Sequence, residues 1–338
     1  MRDAGTPARA PLTAAPAFNT TAKGVPDTPR HAPLNEDEPM FFRNLTIYQL
    51  PAGWTREPDA IEATLAEFPL HPCSGQIVKT RGWVPVTDDG RMTFSDPRRV
   101  LLSLGTEEKL LPARVVNQAT EEKVSALEKE KGFKIGRRHR REIKEQVQID
   151  LLPRAFSQRT ATHGWLDFEK GWLVVDTASP NRADEFTQAL RDALGELPAT
   201  PMASNPSMGA LMTQWLSAKQ APGAFTLDDH CELTTCDENK STVRYTRHAL
   251  DGADINAHLT QGKVTTRLSL AWNDRISFQV NDKLQIRQLK FLDIESIRDK
   301  RGELEADEVM AADFALFSGE LQALLGDLAV AVGANLVE

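Results

Sequence analysis

Arg137, Arg138, Arg140 and Arg141 fall within five consecutive positions, and Lys144 follows three residues later. Guanidinium groups at this density suit phosphate oxygens, which they meet with both charge and paired N–H donors. Lys131 and Lys134 stand just before the block, and Arg154 follows it in "LLPRAF", residues 151–156. Residues 123–159 hold eleven bases against five acids, although the chain of 338 residues carries a formal charge of −8. Residues 291–338 alone hold eleven acids against three bases, so the acidic average arises at one end. An approaching polyanion meets the local field, not the average.

Patterns for covalent chemistry are missing. The sequence holds no phosphate-binding G-x-x-x-x-G-K-[ST], G-x-G-x-x-G, G-x-S-x-G or H-E-x-x-H. His230-Cys231 with Cys236 supplies one C-x4-C, which without a second ligand pair reads as unpaired thiols rather than a metal site. With Cys73 the cysteines make an odd set, as expected of a reducing compartment. Glu142-Ile143-Lys144 and Glu238-Asn239-Lys240 match the E-x-K fragment of some nucleases, but neither follows a well-placed strand aspartate. The expectation is a protein without catalytic residues, metal or cofactor.

The arginine block needs a helix to position it. If residues 137–151 are helical, steps of about 100° per residue gather Ile143, Val147 and Leu151 into an apolar stripe. Arg138 and Arg141 then fall opposite the stripe, and Arg137 and Lys144 flank it. Arg140 lies on the apolar side, where packing or a buried pair would suit it. Arg138–Glu142 and Arg141–Glu145 have i,i+4 spacing in the weaker base-first order, worth a few tenths of a kcal/mol. Cations in the first turns also oppose the helix dipole. Helix stability does not account for the block; phosphate contact is favoured over an ordinary solvated face, because a positive helix end carrying extra arginines suits phosphate oxygens.

Other segments divide into strands and helices. Alternation or turn residues mark strands at 42–50, 75–86 and 99–112, and apolar spacing marks helices at 57–68, 113–131, 181–194 and 207–218. Residues 163–179 read as a hairpin turning at Glu169-Lys170-Gly171. Residues 263–291 read as a three-stranded meander turning at Asn273-Asp274 and Asn281-Asp282, with Lys263, Arg267 and Arg275 as a basic strip on its polar face. The leucine-rich stretch at about 305–331 reads as helical, and its acids suggest a face turned away from a polyanion, or an interface helix. No run approaches the roughly 18 apolar residues of a membrane span.

Grouped rather than alternating elements favour α+β. The expected divisions are 1–39, a Pro- and Ala-rich tail that reads as disordered or as preceding a true start at Met40; 40–112, α+β; 113–160, basic and helical; 161–240, α+β; and 241–338, meander plus helix.

From Met40 on, "FFRNLTIYQL" (41–50), "GWVPV" (82–86), "EEKLLP" (107–112), "LLPRAFS" (151–157), "KVTTRLSLAW" (263–272) and "ADFALFSGEL" (312–321) follow in an order that resembles the RdgC family of recombination-associated proteins. The resemblance implies a bacterial, cytoplasmic, nucleoid-associated protein that binds double-stranded DNA with little sequence preference. It implies an elongated α+β subunit and a ring-shaped homodimer whose basic inner surface surrounds the duplex and restrains RecA-dependent recombination. Lys109, Arg154 and Phe156 match family motif positions, Phe156 as a gating or dimer contact. Arg244, Arg247, Lys263, Arg267, Arg275 and Lys290 fall where family members are also basic, whereas Arg137–Arg141 match no fixed motif. The competing readings are a regulator acting directly on the recombinase and a metal-dependent DNA-processing enzyme.

Overall fold

Two antiparallel sheets and seven helices make up the computed structural model, which describes residues 42–238, 240–292 and 306–334. The expectations for residues 1–39 lie outside the described residues. The first sheet contains β1 (Thr46–Gln49), β2 (Lys79–Trp83), β3 (Thr93–Asp96), β4 (Arg99–Leu110), β5 (Phe156–Asp167), β6 (Trp172–Val175) and β7 (Thr200–Pro201). Its order is β2-β4-β5-β6-β1-β7, with β2 and β3 sharing one edge of β4. The second sheet runs β12-β11-β10-β8-β9, from β8 (Phe225–Thr235), β9 (Thr242–Thr246), β10 (Lys263–Trp272), β11 (Ile276–Asn281) and β12 (Ile286–Phe291). Strand pairing thus crosses the boundaries expected near 112 and 160, because β4 pairs with β5 along its whole length.

Alternation divides the first sheet between two cores. Tyr48, Val100, Leu102, Leu166, Leu173 and Val175 face α1 (Pro58–Ala66) and α4 (Pro180–Leu194). Ile47, Leu101, Trp165 and Val174 face the other way, into a core shared with the second sheet, α5 (Met208–Ala218) and the last helix, α7 (Ala306–Ala331). The hairpin turn falls where the sequence placed it: Gly171 has φ +70°, and Asp167 Oδ1 accepts the N–H groups of Glu169 (2.8 Å) and Lys170 (3.1 Å). Asn273 and Asp274 both take positive φ at the centre of the turn that the Arg275 N–H closes on Trp272 O (2.9 Å).

The structure corrects one of the two readings of the acidic C-terminal segment, that of an interface helix. α7 is long and apolar enough to cross a membrane by composition, but Leu321, Leu324, Leu325 and Leu328 are buried within this chain. Each contributes about 1.5–3 kcal/mol by leaving water. The helix ties to both sheets: Trp165 Nε1 donates to Ser318 Oγ (3.1 Å), and Trp272 Nε1 donates to Asp327 Oδ2 (2.8 Å). Its leucines build the core, so they are not free to build an interface.

Candidate nucleic-acid interface

Between β4 and β5 the chain forms an antiparallel pair of helices, α2 (Ala113–Lys131) and α3 (Arg137–Leu151), at the bounds the periodicity predicts. Val116, Val124, Ile143 and Val147 give the pair a small core of its own, lined by Ala119, Leu127, Ile135 and Leu151. Gly132 ends α2 in the left-handed region, where its N–H reaches Glu128 O (2.9 Å). Lys123–Asp150 (3.2 Å) and Arg140–Glu121 join the two helices across the exposed side.

The remaining cations of α3 face solvent. Arg138 reaches Glu142 (3.4 Å) and Arg141 reaches Glu145 (3.1 Å), but the two arginines are 95% and 83% exposed. Such pairs are worth well under about 1 kcal/mol and yield readily to a phosphate. Lys131, Lys134, Arg137 and Lys144 form no ion pair among the described residues. Arg137, Arg140, Arg141 and Lys144 converge with Asn117, Thr120 and Glu121 on a groove of about 270 Å³ between the helices. One carboxylate against four cations leaves that groove positive.

Lys109 has a different role from its neighbours in the basic set. It is buried, and its Nζ donates to Gly75 O (3.0 Å) and Leu152 O (2.8 Å). It is therefore a positioning residue that holds the turn Leu152–Arg154, and it does not present its charge to a ligand. Arg154 is exposed, and Phe156 is 85% exposed at the first position of β5. Nearby, Glu107 takes Arg159 Nε (2.5 Å) and the Cys73 N–H (3.0 Å). Burial opposes its charge, but these partners outweigh burial and hold its carboxyl below the usual range.

The basic strip expected on the meander is largely neutralised. Two register shifts in the β8–β10 pairing break the alternation, so Lys263 and Thr265 join Leu268, Leu270 and Trp272 among the buried positions. Lys263 Nζ stands 3.1 Å from His258 Nδ1. Arg244 (2.6 Å) and Arg267 (3.9 Å) share the carboxylate of Glu232, and Thr266 Oγ1 also reaches it (3.3 Å). Burial disfavours the charge of Glu232, yet the two arginines keep its carboxyl low. Burial, together with these arginines, pushes the nearby His230 imidazole down. Arg275 pairs with Glu320 of α7 and lies 6.0 Å from the Trp272 ring. Arg247 and Lys290 are exposed. The structure therefore brings Arg137, Arg138, Arg141 and Lys144 together and commits Lys109, Lys263, Arg267 and Arg275 to internal partners.

Among the described residues, no three His, Cys, Asp or Glu side chains are grouped to hold a metal. Cys231 is buried, which pushes its thiol up to about 12, and Cys236 is exposed. Glu142 of the first E-x-K fragment pairs with Arg138 and His139; the centre of the second lies outside the described residues. Sequence reading missed the apolar side chains at the same end of the first sheet as Phe156. Leu110, Ile77, Val78 and Val115 are each 47–49% exposed. The alternation of "EEKLL" continues past the point where the sheet is covered, and only the fold reveals where that happens.

Residues 40–335 match the family described as "Putative exonuclease, RdgC". A protein named recombination-associated protein RdgC from Cupriavidus pinatubonensis is 43% identical over 294 residues, covering 87% of this chain and 98% of the relative. Its namesake from Janthinobacterium sp. is 41% identical over 294 residues, with the same shares covered. That from Dechloromonas aromatica is 38% identical over 302 residues, covering 88% and 99%. On a match that spans nearly the whole described chain, the protein belongs to the RdgC family.

Proposed function

We propose that the chain binds double-stranded DNA through its phosphates, with little sequence preference, and acts by occupying DNA rather than by chemistry on it. The observation that carries this reading is the outward, under-neutralised cationic face of α3, where Arg137, Arg138, Arg141 and Lys144 stand on one rigid helix. Phosphate contacts position a protein without reading bases, and among the described residues no element is shaped as a base-reading motif. The protein works as a homodimer that encloses the duplex, supported by the exposed apolar side chains around Phe156. The relatives' recombination-associated name supports the further reading that DNA occupancy limits access of the RecA recombinase. On this reading the protein acts in the cytoplasm, on the nucleoid.

The test is a duplex-binding titration against salt. If about six phosphates are neutralised, log affinity falls against log salt with a slope near −5. A flat response defeats the reading. The exonuclease in the family's description is the second reading, and loss of labelled duplex in magnesium or manganese would establish it over the first. A direct regulator of the recombinase would inhibit even where DNA is saturating.

A further inference from the structure

Phe133 exposes 64% of its surface at the tip of the helix pair, between Lys131 and Lys134. Burying a phenylalanine is strongly favourable, and Ile135, two residues on, is taken into the core of the pair. The loop that keeps the ring outside is braced at both ends. Gly132 closes α2 with its N–H on Glu128 O (2.9 Å), and the Glu128 carboxylate takes the Ile135 N–H (2.9 Å). The ring is thus held out on a short, fixed loop, with cations on both sides and α3 opening on Arg137 and Arg138.

We propose that Phe133 is a wedge that enters the base stack of a duplex while the flanking cations hold the phosphates on either side. This rests on the duplex-binding reading above and adds a contact to the bases. Apolar side chains that insert between base steps unstack and kink the duplex without requiring a given sequence. Charge selects this occupant over a second copy of the chain, since two apposed tips would set Lys131, Lys134, Arg137 and Arg138 against their own copies. It is also preferred to a lipid surface, because one ring buries too little apolar area to hold a membrane contact.

The test relaxes a closed circular plasmid with a topoisomerase in the presence of the full-length protein. A wedge unwinds the duplex, so the linking-number distribution shifts with the wild-type chain. Phe133→Ala binds linear duplex about fivefold more weakly, at the low end of what one aromatic contact to a base contributes, with the wild-type salt slope and without the shift. Phe133→Leu keeps an apolar wedge and retains the shift. A wild-type shift from Phe133→Ala, or duplex binding by the wild type with no shift, overturns the inference. So does a changed mass of Phe133→Ala in light scattering, which would place the ring in a self-contact. Co-sedimentation with phosphatidylserine vesicles that depends on Phe133, without a plasmid shift, would assign the tip to membranes instead. A wild-type chain that fails to bind duplex at all removes the reading beneath this one, a result distinct from binding without unwinding.

Discussion

Leu110 and Phe156 are cross-strand partners on the last rung of β4 and β5, and both stand in solvent, 48% and 85% exposed. Along the same two strands, Leu101 and Trp165 are fully buried, so the ladder outruns the layers that cover it. An apolar pair left open at a sheet end suits a contact with another protein surface. On the homodimer reading, Phe156→Glu places a charge in one of the ring's two contacts, so on dilution the protein falls to half its mass at a higher concentration than the wild type does. Light scattering reads this, and dissociation at the wild-type concentration would take Phe156 out of the interface.

Lys109 sets where that rung ends. Lys109→Met keeps the aliphatic stem but removes the ammonium donor from Gly75 O and Leu152 O, leaving Leu152 O only the Ala155 N–H (3.2 Å). The expected cost is about 2 kcal/mol, that of hydrogen bonds from a charged group. Urea titration measures the loss. Hydrogen exchange should show the turn Leu152–Arg154 opening more often, whereas α3 itself stays protected. Equal stability of the variant and the wild type would refute the positioning role.

Much of this was legible in the chain itself. The bounds of α2 and α3 follow from apolar spacing and from Gly132, because each helix is amphipathic and buries one narrow stripe. β5 begins at Phe156, seven residues before the alternation at His163 shows it, because an uncovered strand end needs no alternation. Lys109 and Lys263 looked like surface cations since sequence cannot show which carbonyls or rings a long side chain will meet. The acids that pair with Arg267 and Arg275 were hidden for a related reason: Glu232 and Glu320 are 35 and 45 residues away along the chain.

The groove between α2 and α3 predicts a graded electrostatic effect. Arg137, Arg141 and Lys144 line it, and none of them belongs to the apolar core of the helix pair. Replacing all three by alanine should leave the fold's stability within about 0.5 kcal/mol. If each neutralises one phosphate, the salt slope becomes shallower by about 2 to 3. The loss should be similar on unrelated duplex sequences, because phosphate contacts carry no base information. A sequence-dependent loss, or an unaltered slope, would place the DNA elsewhere on the molecule.

His163 makes stability depend on pH. It pairs across β4–β5 with Ser103, and its Nδ1 is buried without a hydrogen-bond partner among the described residues. Burial disfavours the imidazolium, so the folded-state pKa lies below the ordinary value of about 6.5. The unfolded chain therefore binds this proton first as pH falls. Stability that is fully present above about pH 6.5 drains away below it, until the folded state protonates too. His163→Gln stays neutral throughout, so its thermal midpoint should fall less steeply between about pH 7 and 5 than that of the wild type. His230, depressed by burial as well, keeps part of the slope in the variant. Parallel midpoint curves for wild type and variant would show that His163 is not the group that titrates.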